Sequence, residues 1–148
     1  MAKILVVDDS PDVLLLCKVH MQYDGHDVTI ASDGFEALDK IRAELPDLVL
    51  LDIMMPGMDG WEVLASIKSD PATSSIPVVM LTARGDGLDE IRGWREGASA
   101  YVTKPFNPVA LSLTIQRALR RTPAEDDLLR HESIDLLEID QKLSEKPQ

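Results

Sequence analysis

The chain has a single cysteine, Cys17, in 148 residues. It can form no internal disulfide, which fits a reducing compartment, and a cytoplasmic location is expected. Long apolar runs are missing too. The longest, Val13 to Cys17, is five residues, against about 20 for a bilayer-spanning helix. No membrane span is expected. Met1-Ala2-Lys3 leads straight into Ile4-Leu5-Val6-Val7, without the longer apolar segment and small-residue cleavage site of a secretory signal. Basic residues are few: 15 Lys and Arg against 26 Asp and Glu leave a formal charge of −11. A phosphate-backbone binder needs clustered Lys and Arg, so nucleic acid is not an expected direct partner. Low hydrophobicity is absent as well. With 45% apolar residues, general disorder is excluded.

What is present divides unevenly. Residues 1–121 carry 18 acidic and 12 basic side chains, and residues 122–148 carry 8 and 3. The shift in charge density, with Pro123 just after Arg120-Arg121, places a boundary near 121. A domain over 1–121 and an acidic tail over 122–148 are expected.

Within 1–121, short apolar runs alternate with longer amphipathic stretches. The runs are Ile4–Val7, Val28–Ala31, Leu48–Leu51, Val78–Leu81 and Ala100–Val102. They suit strands buried on both faces of a parallel sheet. Helix-like segments lie between them, near 11–23, 34–44, 59–69, 87–96 and 107–121. Ser10-Pro11 and Asn107-Pro108 offer an N-cap followed by proline, and Gly25 stands where the first helix should stop. Five βα units in this order imply an open α/β fold with right-handed crossovers and helices on both faces. In such sheets the binding crevice lies beyond the carboxyl ends of the strands.

Those ends carry the polar residues. Strand one ends in Asp8-Asp9, strand three in Asp52, strand four in Thr82, and strand five runs through Thr103 into Lys104-Pro105. If these strands are neighbours, three carboxylates, a hydroxyl and an ammonium share one pocket. Like charges about 4 Å apart repel by roughly 4 kcal/mol at an effective dielectric of 20, so a carboxylate takes a proton or a cation enters. With no His or Cys among the donors, a hard divalent cation such as Mg2+ is favoured. Such a pocket suits phosphoryl transfer, which consists mostly of positioning and charge stabilisation. Asp52 is then a candidate nucleophile and Lys104 a point charge for a phosphoryl oxygen. Each residue alone has a blander reading: Asp8, Asp9 or Ser10 as a helix cap, Asp52 as a turn residue before Pro56-Gly57, Lys104 as a solvated lysine. Their joint occurrence at successive strand ends points to a site.

The chain resembles the response-regulator receiver domain of two-component signalling. The resemblance is carried by Ile4-Leu5-Val6-Val7-Asp8-Asp9-Ser10, Asp33-Gly34-Phe35-Glu36-Ala37-Leu38, Pro46 through Gly60, Pro77-Val78-Val79-Met80-Leu81-Thr82-Ala83 and Tyr101-Val102-Thr103-Lys104-Pro105-Phe106. It covers residues 3 to about 121 and does not reach the tail. It implies a flavodoxin-like, open five-stranded parallel sheet of order 2-1-3-4-5. Asp52 would accept a phosphoryl group from a sensor histidine kinase or phosphotransfer protein. Asp8, Asp9, Asp52 and the backbone carbonyl of Met54 would hold Mg2+ (or Mn2+). Thr82 and Lys104 would contact the phosphoryl group, Tyr101 would be the switch aromatic, and the Lys104-Pro105 bond would be cis.

The resemblance further implies a regulatory phosphoacceptor that assists its own phosphorylation and dephosphorylation, not an enzyme acting on outside substrates. An unknown protein is the expected downstream target, and the chain would be a monomer or a phosphorylation-dependent homodimer. An aspartyl-nucleophile phosphatase would want a second acid two residues after its nucleophile, where Met54 follows Asp52 and Ser10 follows Asp8. Ser99-Ala100 stands where many relatives carry acids, and Met54 and Arg84 stand where the family tunes its dephosphorylation rate. In the tail, Leu129, Leu136 and Leu143 recur every seven residues. That stripe suits a helix docked on its own domain, or a disordered tail, better than a coiled-coil dimer. At this length the tail is too short for a DNA-binding domain, so the expected output is protein contact.

Overall fold

A computed structural model describes residues 2–82 and 87–144, excluding the side chains of 87–89 and 144. Five strands form one parallel sheet: β1 (Lys3–Val7), β2 (Asp27–Ala31), β3 (Leu48–Asp52), β4 (Val78–Thr82) and β5 (Ala100–Thr103). Their order is β2-β1-β3-β4-β5. The helices are α1 (Pro11–Tyr23), α2 (Gly34–Glu44), α3 (Gly60–Ser69), α4 (Gly87–Arg95), α5 (Pro108–Arg120) and α6 (Pro123–Ser144).

The strand residues alternate between two cores, as a period of two requires. Leu5, Val7, Val49, Leu51, Val78 and Met80 pack with Leu38 and Ile41 of α2 and Val63 and Leu64 of α3. Ile4, Val6, Leu48, Leu50, Val79 and Leu81 pack with Leu14 and Met21 of α1 and Leu111 and Ile115 of α5. The central strands β3 and β4 are buried along their whole length, so only their ends are open to function.

Local chemistry starts each helix. Ser10 Oγ accepts from the Val13 N–H at the head of α1, and Pro11 follows it. Asp33 and Asp59 cap α2 and α3, accepting from the Glu36 and Glu62 N–H groups at 2.8 and 3.0 Å. Asn107 caps α5, accepting from the Val109 N–H at 2.8 Å. After α1, Gly25 takes φ +93°, which a side chain would disfavour.

The tail forms a helix. Thr122 and Glu125 close a reciprocal capping box: Thr122 Oγ1 accepts from the Glu125 N–H at 3.1 Å, and Glu125 Oε1 accepts from the Thr122 N–H at 3.3 Å. α6 then packs against α4. Asp126 anchors it, accepting from Ser99 Oγ at 2.9 Å and from Arg130 Nη2 at 2.8 Å. Arg121 donates to the Ser99 carbonyl at 2.7 Å, and Arg95 pairs with Glu138 further along. The seven-residue leucine stripe divides: Leu129 is half-buried, whereas Leu136 and Leu143 are exposed. Half-buried Ile134 and Leu137 join Leu129, because a straight helix drifts off a strict seven-residue repeat.

Asp126→Ala should therefore release α6. The change removes the acceptor of Ser99 Oγ, the carboxylate 3.6 Å from Arg121 Nε, and one of the two carboxylates that Arg130 holds, Asp127 keeping the other contact, a loss of about 1–3 kcal/mol. Amide exchange within 123–144 is expected to quicken by about tenfold or more, with β1, β3 and β4 unchanged. Equal exchange rates in both proteins would show that the anchor does not hold the helix.

Candidate functional site

The pocket sits where β1, β3 and β4 end together. Parallel register places Val7 beside Leu51, Asp52 beside Leu81, and Thr82 beside Thr103, so the residues that terminate or follow these strands share one edge of the sheet. Asp8 is fully buried and Asp52 is 2% exposed, whereas Asp9 is exposed. One carboxylate oxygen from each of the three lies within 4.8 Å of the others.

Lys104 arrives from the end of β5. Its Nζ donates to Asp8 Oδ2 at 2.7 Å and lies 3.4 Å from Asp52 Oδ1. The Lys104-Pro105 peptide is cis. Asp8 Oδ1 accepts from the Ser10 N–H at 2.9 Å, and Asp52 Oδ1 accepts from the Met54 N–H at 3.4 Å. The first carboxylate is thus held by the start of α1, the second by the turn after β3.

The electrostatics are unbalanced towards negative charge. Burial, reinforced by Asp8, pushes the Asp52 carboxyl up to about 6, even though Lys104 and the Met54 N–H pull the other way. Burial works against the Lys104 charge, yet its hydrogen bond to Asp8 and the charge of Asp52 outweigh this and raise its pKa. Behind the pocket, burial and then Asp8 push the Cys17 thiol up to about 11, keeping it neutral. One lysine does not neutralise three carboxylates. An all-oxygen donor set of this charge fits a hard divalent cation, which prefers carboxylate and water oxygens.

Thr82 is 4% exposed at the end of β4. Met54, two residues after Asp52, is 70% exposed, while its backbone faces the pocket through the N–H bond. Tyr101 lies on β5, its ring half-buried against the cluster containing Trp61 and Met80. Arg84 lies outside the described residues.

Three supporting residues escaped sequence reasoning. Gly60 opens α3 directly against β3: an added Cβ would stand 2.3 Å from the Asp52 carbonyl oxygen. Gly93 of α4 faces Tyr101, where a Cβ would come within 3.3 Å of the ring. Arg92 of α4 stacks over Trp61 at 4.3 Å from the ring centroid. A glycine inside a helical pattern was the one available signal, and it does not say which neighbour comes close.

No helix among the described residues is long and apolar enough to cross a membrane. Residues 4–116 match the model of the response regulator receiver domain. The chain is 41% identical over 138 residues to the DNA-binding response regulator MtrA of Mycolicibacterium smegmatis, an overlap of 93% of this chain and 58% of that protein. It is 41% identical over 120 residues to the alkaline phosphatase synthesis transcriptional regulatory protein PhoP of Bacillus subtilis, covering 81% of this chain and 49% of PhoP. The chain thus spans about half the length of the curated relatives it matches.

Among solved structures, it is similar to the Vibrio cholerae chemotaxis protein CheY4. That match has a TM-score of 0.76 at 35% identity, over 80% of this chain and 98% of CheY4. A receiver domain protein from Clostridium thermocellum matches with a TM-score of 0.76 at 35% identity, over 82% of this chain and 96% of that one. Fold, strand order, the acidic strand ends and the family match over most of the length agree: the chain belongs to the response regulator receiver domain family of two-component signalling.

Proposed function

We propose that Asp52 accepts a phosphoryl group from a histidine kinase or phosphotransfer protein and thereby switches a protein-binding surface. The observation that carries this reading is the gathering of Asp8, Asp9 and Asp52 within 4.8 Å, with Lys104 bridging two of them. An Asp52 carboxylate oxygen attacks the phosphorus of a phosphohistidine. The new O–P bond forms as the P–N bond of the ring-protonated phosphohistidine breaks, its electron pair stays on nitrogen, and the histidine leaves as neutral imidazole. Asp52 has to be ionised to attack, and a pKa raised only to about 6 leaves the carboxylate the major form at neutral pH.

Asp8, Asp9, Asp52 and the Met54 carbonyl would hold a divalent cation, Mg2+ or Mn2+. When bound, that cation supplies positive charge to the carboxylates and to the incoming phosphoryl oxygens. Lys104 then pairs with a phosphoryl oxygen, and the Thr82 hydroxyl donates to another. A phosphoryl group adds about −1.5 to −2 charge and three acceptor oxygens. Thr82 and Lys104 follow it by moving the ends of β4 and β5. Tyr101, packed between the core and Gly93, couples that shift to α4.

The formal charge of −11 supports a protein rather than nucleic acid as the direct partner of this chain, in a cytoplasmic setting. Acetyl phosphate with Mg2+, followed by intact mass measurement, tests the reading. One phosphoryl group per chain is expected with Mg2+, and none after chelation by EDTA or in Asp52→Asn. Equal phosphorylation of Asp52→Asn would overturn it.

A further inference from the structure

α6 is pinned on one side and bare on the other. Leu128, Leu136, Ile139 and Leu143 are 62%, 68%, 56% and 60% exposed. Their steps of eight, three and four residues confine them to about 80° of helix circumference and about 22 Å of its length. The anchor of Asp126 on Ser99 and the Arg95–Glu138 pair hold the opposite side towards α4 and the loop before β5, so the stripe cannot roll inward without breaking both. Exposed Glu132, Asp135 and Asp140 lie within and beside the stripe.

We propose that this stripe is a docking surface for a basic amphipathic helix of another protein. Leu136, Ile139 and Leu143 offer the i, i+3, i+7 anchors of helix-on-helix recognition. The surrounding carboxylates select what flanks the partner's apolar face: lysine and arginine. A second copy of this chain would bring the same acids against each other, with Lys142 and His131 the exposed basic or titratable side chains nearby. Like charges juxtaposed across an interface disfavour that pairing. An anionic membrane surface is disfavoured for the same reason. The surface is separate from the carboxylate pocket, so the proposal stands whether or not Asp52 is the phosphoacceptor.

The test uses the full chain and two labelled peptides of identical leucine and lysine composition, followed by fluorescence anisotropy. One peptide spaces its leucines at helical period, the other alternates them. The helical peptide is expected to bind about tenfold more tightly than the alternating one. Leu136→Ala with Ile139→Ala should weaken that binding by about tenfold or more. Alanine keeps the helix and the changed side chains are exposed, which unaltered circular dichroism would verify. Glu132→Lys with Asp135→Lys should also weaken binding and flatten its salt dependence. Equal binding of the two peptides, no binding of either, or an unaffected alanine variant would overturn the proposal. So would sedimentation showing a homodimer that Leu136→Ala with Ile139→Ala dissolves, since the occupant would then be a second copy.

Discussion

Gly60→Ala is expected to be the most damaging single-methyl change in the domain. The added Cβ would meet the Asp52 carbonyl oxygen at 2.3 Å, the Ile53 Cα at 2.7 Å and the Asp52 carbonyl carbon at 3.0 Å. All three are backbone atoms, so no rotamer change relieves the overlap. The Gly60 N–H also donates to the Ile53 carbonyl at 2.9 Å, which ties the first turn of α3 to the end of β3. Relief requires lifting α3, and with it Val63 and Leu64, from the core. A cost above about 3 kcal/mol follows from overpacking against unyielding atoms, a large share of the 5–15 kcal/mol typical of whole proteins.

Gly57 provides the contrast. It has φ +79°, and its added Cβ would meet only the Phe35 ring at 3.8 Å. Gly57→Ala should cost about 1–2 kcal/mol, the penalty for a left-handed backbone. Urea midpoints order the two variants. A Gly60→Ala protein as stable as Gly57→Ala would mean that α3 does not press on β3.

Lys104→Met is expected to have the second large effect, with a distinctive pH signature. It removes the ammonium from Asp8, fully buried, and Asp52, 2% exposed. Breaking a buried pair from one side costs about 3–5 kcal/mol, because a charge is left behind without its partner. Part of this is recoverable by acid. In the wild type the Asp52 pKa rises from 3.8 unfolded to about 6 folded. Its protonation therefore contributes stability that is fully present below 3.8 and lost as pH rises through about 6. That contribution is on the order of 3 kcal/mol.

Because Lys104 lowers the Asp52 pKa, its removal moves the window upward. In EDTA, the wild-type advantage over Lys104→Met should shrink as pH falls from 8 towards 5, and added Mg2+ at pH 8 should stabilise the variant more than the wild type. Urea denaturation at the two pH values checks both statements. A stability gap that ignores pH would place the lysine's contribution elsewhere.

Much of the architecture was legible because it depends on periodicity and on strand ends. The apolar runs located all five strands, yet each run stopped short of one or more polar ladder residues. Lys3 pairs with Asp27 and Thr82 with Thr103, and hydropathy alone does not see a ladder bond. The helices from 59 and 107 began one residue early because Asp59 and Asn107 are caps rather than helical residues. The acidic pocket was visible because a parallel sheet sends its carboxyl ends to one edge. Gly60 and Gly93 were not, because their roles depend on which backbone or ring crosses them.

The tail was the hardest segment. Ser133-Ile134-Asp135 weakens its intrinsic helicity, and the leucine repeat suggested a different face from the one α6 buries. Its anchor is tertiary: Ser99 before β5 and Arg121 after α5 converge on Asp126. The Thr122–Glu125 capping box was the one local signal. Ser99, read as a departure where relatives carry acids, is 1% exposed and donates to that carboxylate.

Among the three crowded carboxylates, Asp52 is expected to be the one that becomes an acyl phosphate. Borohydride reduces an aspartyl acyl phosphate to homoserine, and peptide mapping then locates the converted residue. After treatment with acetyl phosphate and Mg2+, homoserine is expected at position 52 alone, with none formed in EDTA. Conversion at Asp8 or Asp9 instead, or at position 52 regardless of the divalent cation, would mean that Asp52 is not the cation-dependent phosphoacceptor.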